Sequence, residues 1–358
     1  MTAPIRVLVV DDSIVLRRLL SMIIEADPDL ELAGIAQNGL IALQRIEQLD
    51  PDVVTLDVEM PELDGLGTLK ELRKTHPTLP VVMFSTLTAR GAAATIDALS
   101  FGASDYVTKP SNVGSVTAAM ARVREDLIPK LKALVPRGAA AIAAPAAPSA
   151  TRIVAAGSTT AIVAVGASTG GPNALAAVIE SLPGDIGVPI VVTQHMPPVF
   201  TAFLADRLDA RSALTVCEAT SGMILEANTV YIAPGDHHMV LKRRALGVEI
   251  QTTKDAAVNY CRPSVDVMLT SVAKVFGGNV LAVILTGMGA DGRVGCAALR
   301  ARGAHIMVQD EATSVVWGMP GAVATAGLAD DVLALPAISR AIARHVGVTG
   351  ARSVRMTA

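Results

Sequence analysis

The chain has 358 residues, enough for two or three domains. Hydrophobic residues make up 51% and aromatics only 3%, so its cores rest on Ala, Val, Ile and Leu, as suits buried parallel strands covered by helices. A formal net charge of −3 offers no basic field for nucleic acid, and Cys217, Cys261 and Cys296 form neither a disulfide framework nor a C-x-x-C zinc motif. The opening MTAPIRVLVVDD lacks the regions of a targeting segment, and outside one Ala/Pro stretch no apolar run of about 18 residues would insert into a membrane. A cytoplasmic protein is expected.

In chain order, strands are expected at Ile5–Val10, Leu32–Ala36, Val53–Leu56, Val81–Phe84 and Asp105–Val107. Helical patterns lie between them. The stretch Ser13–Ala26, for example, carries apolar residues at Ile14, Leu16, Leu19, Leu20, Ile23 and Ile24. After an amphipathic run from Val113 to Leu134 comes GAAAIAAPAAPSA, from Gly138 to Ala150, uncharged and interrupted by Pro145 and Pro148. It reads as a linker. A second set of strands follows at Ile162–Val165, Pro189–Thr193, Val280–Leu285 and His305–Val308, with an antiparallel excursion from Thr229 to Thr252. The expected architecture is α/β throughout: two doubly wound parallel-sheet domains, the first flavodoxin-like and the second Rossmann-like. The boundaries are placed at 1–128, a linker at 129–157, a second domain at 158–348 and a disordered tail at 349–358.

Asp11 and Asp12 follow VLVV, and Asp57 ends PDVVTLD, so three carboxylates gather at the carboxyl edge of the first sheet. Their mutual repulsion and hard oxygens suit Mg²⁺. Ser85 ends VVMFS and Lys109 follows the fifth strand, adding a hydroxyl and a cation at that edge. A carboxylate beside Mg²⁺ and Lys can attack a phosphoryl group. An Asp-Asp pair taken alone is more often a helix N-cap; five such residues at strand ends are not. This ensemble, with LDVEMPELDGL and GASDYVTKP, resembles the receiver domain of two-component response regulators over residues 4 to 126. The resemblance implies Asp57 as phosphoacceptor, Asp11 and Asp12 as Mg²⁺ ligands with it, Ser85 and Tyr106 as a switch pair, and a sensor histidine kinase as phosphodonor.

In the second half, AIVAVGASTGGP satisfies G-x-S-x-G between a strand and a helix, which projects Ser168 at the sheet edge near amide donors. A dinucleotide-binding turn would need an acidic residue at the end of the next strand, PIVVTQHMPP, and His195 stands there instead. A base in that place favours a nucleophile. Asp291, in LTGMGADG beyond another aliphatic strand, supplies a carboxylate to orient the base, although an aspartate there is commonly a helix cap. The order Ser, His, Asp differs from that of α/β-hydrolases.

These stretches, together with YIAPGDHHM, RPSVDVML and VVWGMPGA, resemble the chemotaxis protein-glutamate methylesterases over residues 160 to 345. The resemblance implies Ser168 as nucleophile, His195 as general base, Asp291 as its orienting partner, an oxyanion contribution from the Met288 amide and assistance from Thr169. It further implies hydrolysis of glutamate γ-methyl esters on chemotaxis receptors, glutamine deamidation at the same sites, control by receiver phosphorylation, and no cofactor for the ester chemistry. Tyr260 and Cys261 depart from the more polar residues expected there, and nothing in the sequence marks Cys261 as activated. His237 and His238 lack further ligands at metal-binding spacing. The alternatives are a receiver-controlled nucleotide-binding adaptor without catalysis, and a transcriptional regulator, which would show a basic helix-turn-helix.

Overall fold

The computed structural model describes residues 3–110, 116–135 and 160–347. The expected linker core at 138–150 and the tail at 349–358 lie outside the described residues. The chain divides into two units, Met1–Pro145 and Ala146–Ala358.

The first unit runs β1 (Ile5–Val10), α1 (Ile14–Glu25), β2 (Leu30–Ala36), α2 (Gly39–Leu49), β3 (Val53–Asp57), α3 (Gly65–Thr75), β4 (Val81–Ser85), α4 (Ala89–Ser100), β5 (Asp105–Thr108) and α5 (Val116–Leu134). Its strands form one parallel sheet in the order β2-β1-β3-β4-β5, so the chain reverses direction across the sheet between β1 and β3. Alternation of aliphatic strands with amphipathic helices leaves both faces covered: Val7, Val9, Val82, Phe84 and Val107 pack with Leu20, Ile23, Ile24 and Leu127. Burial of each such side chain contributes roughly 1.5–3 kcal/mol. Ser13, Asn38, Asp64 and Thr88 cap α1 to α4, each accepting a backbone N–H. In α1 the buried face is Leu19, Leu20, Ile23 and Ile24, with Ile14 exposed in the first turn. One expectation needs correction. Helix α5 continues through Pro129 to Leu134, past residue 128, where the linker was expected to begin, since Leu127, Ile128 and Leu131 bury on one face.

The second unit runs β6 (Ile162–Ala167), α6 (Gly171–Ile179), β7 (Ile190–Gln194), α7 (Phe200–Asp209), β8 (Thr215–Glu218), β9 (Thr229–Ile232), β10 (His238–Arg244), β11 (Gly247–Thr253), α8 (Val265–Phe276), β12 (Val280–Ile284), α9 (Arg293–Arg300), β13 (His305–Gln309), α10 (Met319–Thr325), β14 (Asp331–Leu333) and α11 (Leu335–His345). Seven strands make a parallel sheet, β14-β13-β12-β6-β7-β9-β8, in which β6 lies between β7 and β12. The expected antiparallel excursion is shorter than read: β9 joins the parallel sheet, and only β10 and β11 pair antiparallel. Among the described residues no helix is long and apolar enough to cross a membrane.

Candidate active site

The carboxyl ends of β6, β7 and β12 lie side by side, and the loops leaving them carry Ser168, His195 and Asp291. This is the switch point of the sheet, where doubly wound folds place their ligands. The backbone of Ser168 is tied on both sides: its N–H donates to Thr286 O (3.0 Å), and its carbonyl accepts from Gly171 N (2.7 Å) and Gln194 Nε2 (2.9 Å). Gly170, at φ +74°, makes the turn that a side chain would strain. His195 N–H donates to Ala167 O (3.1 Å), which fixes the histidine beside the end of β6.

His195 and Asp291 meet directly, with Nε2 2.8 Å from Oδ2. Asp291 also accepts from Val265 N (2.7 Å), Asn259 Nδ2 (2.8 Å), Ser264 Oγ (2.9 Å), Asp266 N (3.1 Å) and Gly292 N (3.1 Å). Two of these amides open α8, so Asp291 closes the start of that helix and not chiefly of its own. Burial opposes ionisation of Asp291, but the His195 contact and these donors hold it well below the usual carboxylate range. Burial likewise disfavours the imidazolium, yet Asp291 and Cys261 together push His195 up to about 9. With Asp291 ionised, Nε2 keeps its proton and Nδ1 is the exchanging nitrogen. That nitrogen faces Cys261 Sγ at 3.4 Å. Ser168 Oγ makes no hydrogen bond to His195 among the described residues, so two members of the expected triad are joined and the third stands beside them.

The loop after β12 packs onto the serine. A Cβ on Gly287 would lie 2.8 Å from Ser168 Cβ and 3.0 Å from Ser168 N, so only glycine permits this approach. Gly287 is pinned through its N–H to Val316 O and its carbonyl to Met319 N, and Thr286 Oγ1 donates to Thr169 O (2.9 Å). Met288 follows, part-exposed, its amide donating to no protein acceptor among the described residues. Thr169 is buried next to Ser168. His237 and His238 serve the loops: His238 Nε2 reaches Ala256 O (3.1 Å), and its Nδ1 accepts from Ser264 N (3.2 Å). Asn259, Ser264 and the Cys261 contact carried no sequence signal, because each meets a partner in another loop.

In the first unit, Asp11 and Asp57 are buried, Asp12 is exposed, and ligand oxygens of the three lie within 4.8 Å of one another. Lys109 Nζ forms ion pairs with Asp57 Oδ2 (2.7 Å) and Asp11 Oδ2 (3.2 Å). Apart from Lys109, these two buried oxygens have no hydrogen-bond partner among the described residues. Hard, under-satisfied carboxylate oxygens of this kind fit Mg²⁺. Burial, with the nearby Asp11 charge, pushes Asp57 up to about 6. The Ser85 hydroxyl donates to Gly91 O (3.0 Å), turned onto the start of α4. Tyr106 is buried, its carbonyl accepting from Lys130 Nζ (2.7 Å) on α5.

Comparison with known proteins finds a family for each unit. Residues 163–342 match the CheB methylesterase family, and residues 7–121 match the response regulator receiver domain. The CheB methylesterase catalytic domain of Thermotoga maritima superposes with a TM-score of 0.51 at 43% identity, covering 52% of this chain and 98% of that one. A protein-glutamate methylesterase/protein-glutamine glutaminase from Trichodesmium erythraeum is 47% identical over 96% of this chain and 99% of its own length. One of the same description from a Nocardioides species is 50% identical over 95% of this chain and 96% of its own. With that identity running through both units, the chain belongs to the protein-glutamate methylesterase/protein-glutamine glutaminase family, hydrolases that join a receiver to a methylesterase domain.

Proposed function

We propose that this chain hydrolyses glutamate γ-methyl esters on methyl-accepting chemotaxis receptors in the cytoplasm, releases methanol, and is switched on by phosphorylation of Asp57. The same site deamidates glutamine, with ammonia as the leaving group. The observation that carries the reading is the His195–Asp291 pair beside Ser168 at the switch point of the second sheet.

Ser168 Oγ attacks the ester carbonyl as neutral His195 takes its proton on Nδ1, while Asp291 keeps the proton on Nε2 and holds the ring. Contact between Ser168 and Nδ1 closes as substrate fills the site, since catalytic hydrogen bonds commonly tighten only in the loaded enzyme. The free Met288 amide donates to the developing oxyanion, with Thr169 assisting beside the nucleophile. His195 returns the proton to the methoxide, methanol leaves, and water activated by the same base resolves the acyl-enzyme.

In the receiver, Asp11, Asp12 and Asp57 would hold Mg²⁺, which supplies charge neutralisation during phosphoryl transfer. Lys109 contributes a further positive charge at Asp57. A sensor histidine kinase is the phosphodonor. Ser85 and Tyr106 rearrange on phosphorylation, which relieves a restraint that the unphosphorylated receiver places on the esterase.

Methanol release from methylated receptors, with and without a small-molecule phosphodonor, tests the whole reading. Release that rises with the donor is expected, as is a loss of about six orders of magnitude in Ser168→Ala. Near-normal turnover in that variant removes Ser168 as nucleophile; donor-independent release removes the switch. Failure of a fluorophosphonate to label Ser168 would instead favour a non-catalytic adaptor.

A further inference from the structure

We propose that Cys261 is a positioning residue for the base: its sulfur holds Nδ1 of His195 in the resting site and yields that nitrogen to Ser168 when substrate enters. The inference rests on reading Ser168 as nucleophile and His195 as base.

The geometry leaves His195 fully occupied without the serine. Asp291 takes Nε2 at 2.8 Å, and Cys261 Sγ stands at Nδ1 at 3.4 Å. Asp291 and Cys261 are the titratable groups facing the ring, with Asp266 one step further out, joined to Asp291 through the Asn259 amide. The sulfur sits on a built support. Val258 and Cys261 pair in both directions (3.1 and 2.9 Å), closing a tight turn through Asn259 and Tyr260, both at positive φ. On one side of the sulfur, Asn259 Nδ2 donates to Asp291 Oδ1, the carboxylate that orients the ring. On the other, Arg262 Nε donates to Asp236 Oδ1 (2.9 Å), and its Nη1 to the carbonyls of Lys254 and Asp255. Ring and sulfur therefore share an anchor, and their contact is fixed by the same carboxylate.

The chemistry suits a releasable hold. A protonated ring donates Nδ1–H to the sulfur, which stabilises the charged form and withholds the base. Sulfur is a weak acceptor, so a serine oxygen brought to Nδ1 displaces it at small cost. Cys296 is wholly buried, and Cys217 lies on β8, so neither substitutes for Cys261 at the site.

The test uses full-length protein, its Cys261→Ala and Cys261→Ser variants, and two measurements. The first follows His195 by NMR in ring-labelled protein, its signal assigned by loss in His195→Gln. The second is the rate at which a fluorophosphonate labels Ser168 at pH 7. In Cys261→Ala, His195 is expected to titrate about one pH unit lower and labelling to be up to about tenfold faster. Cys261→Ser, which keeps a hydroxyl acceptor on a shorter bond and guards against collapse of the turn, should stay closer to the unsubstituted protein than Cys261→Ala. An unmoved His195 in both variants overturns the proposal, as does a shifted His195 with unchanged labelling. Absence of labelling in every protein overturns the nucleophile reading instead, while the His195 titration still decides the contact.

Discussion

Asp291 does two structural jobs with one side chain: it orients His195 and receives the first amides of α8. All six groups around it are donors, so an amide there sets its NH₂ against at least one of them. Asp291→Asn is accordingly expected to lower turnover by roughly 10⁴-fold through loss of ring orientation. It should also destabilise the fold by about 2 kcal/mol through the unsatisfied donor. Methanol release and urea unfolding measure the two separately. The raised His195 pKa has its own consequences. Only the neutral ring takes a proton, so kcat/KM should climb with pH to a limb near 9; a limb near 6.5, the ordinary histidine value, would mean the pair does not hold in solution. Stability runs the other way. A group whose folded pKa is raised from 6.5 to about 9 stabilises fully below 6.5, and that stabilisation is lost as pH rises through 9. The loss should be on the order of 2–3 kcal/mol, read from denaturation midpoints between those pH values, and largely absent in His195→Gln.

At the level of elements, the two units begin their helices differently. In the first, side chains cap α1 to α4; in the second, α6, α8 and α9 start without a bond from their own cap side chain. The cap of α8 comes instead from Asp291, 26 positions along the chain from Val265, and Ser264 turns its hydroxyl to that same carboxylate. That separation explains what sequence could and could not reveal. Strands such as β1, β6 and β12 were legible because burial on both faces requires unbroken aliphatic runs, and the placement of Ser168, His195 and Asp291 at one sheet edge was legible because each follows such a run. The edge strands β8 (TVCE) and β14 (DVL) lack that signal and were missed, and β9 looked antiparallel only because β10 and β11 follow it. The turn bearing Cys261 was opaque for a different reason: its residues act through contacts with loops far away in sequence. Tyr260 shows the strain held there, a fully exposed aromatic at φ +62°, where glycine is the comfortable residue. Tyr260→Gly is expected to stabilise the protein by about 1 kcal/mol, since relief of left-handed strain outweighs the entropy gained by the unfolded chain. An unchanged or lower urea midpoint would show that the turn is relaxed with tyrosine in place.

Across the whole molecule, two parallel sheets each carry chemistry at the point where strand order reverses, and the two chemistries have different demands. The receiver edge gathers Asp11, Asp12, Asp57 and Lys109, charges suited to a phosphoryl group; the other edge holds a histidine paired with a buried carboxylate and a serine beside them. Since none of the receiver's residues is needed for the ester reaction as derived, its effect on turnover must be a bias on access or geometry, a coupling free energy. Each tenfold of activation corresponds to about 1.4 kcal/mol of such coupling. Within the receiver, Tyr106, one of the proposed switch pair, is tied through its carbonyl to Lys130 on α5. Asp57→Asn removes the proposed phosphoacceptor while leaving Lys109 and Asp11 in place, and is expected to fix turnover at the unphosphorylated level whatever the phosphodonor concentration. A fragment comprising residues 158–348 should turn over faster than unphosphorylated full-length protein and ignore the donor, because the restraint has been removed with the receiver. If the fragment is no faster, the receiver does not restrain the esterase, and phosphorylation must act by promoting contact with the substrate; the dependence on donor would then appear in KM and not in kcat.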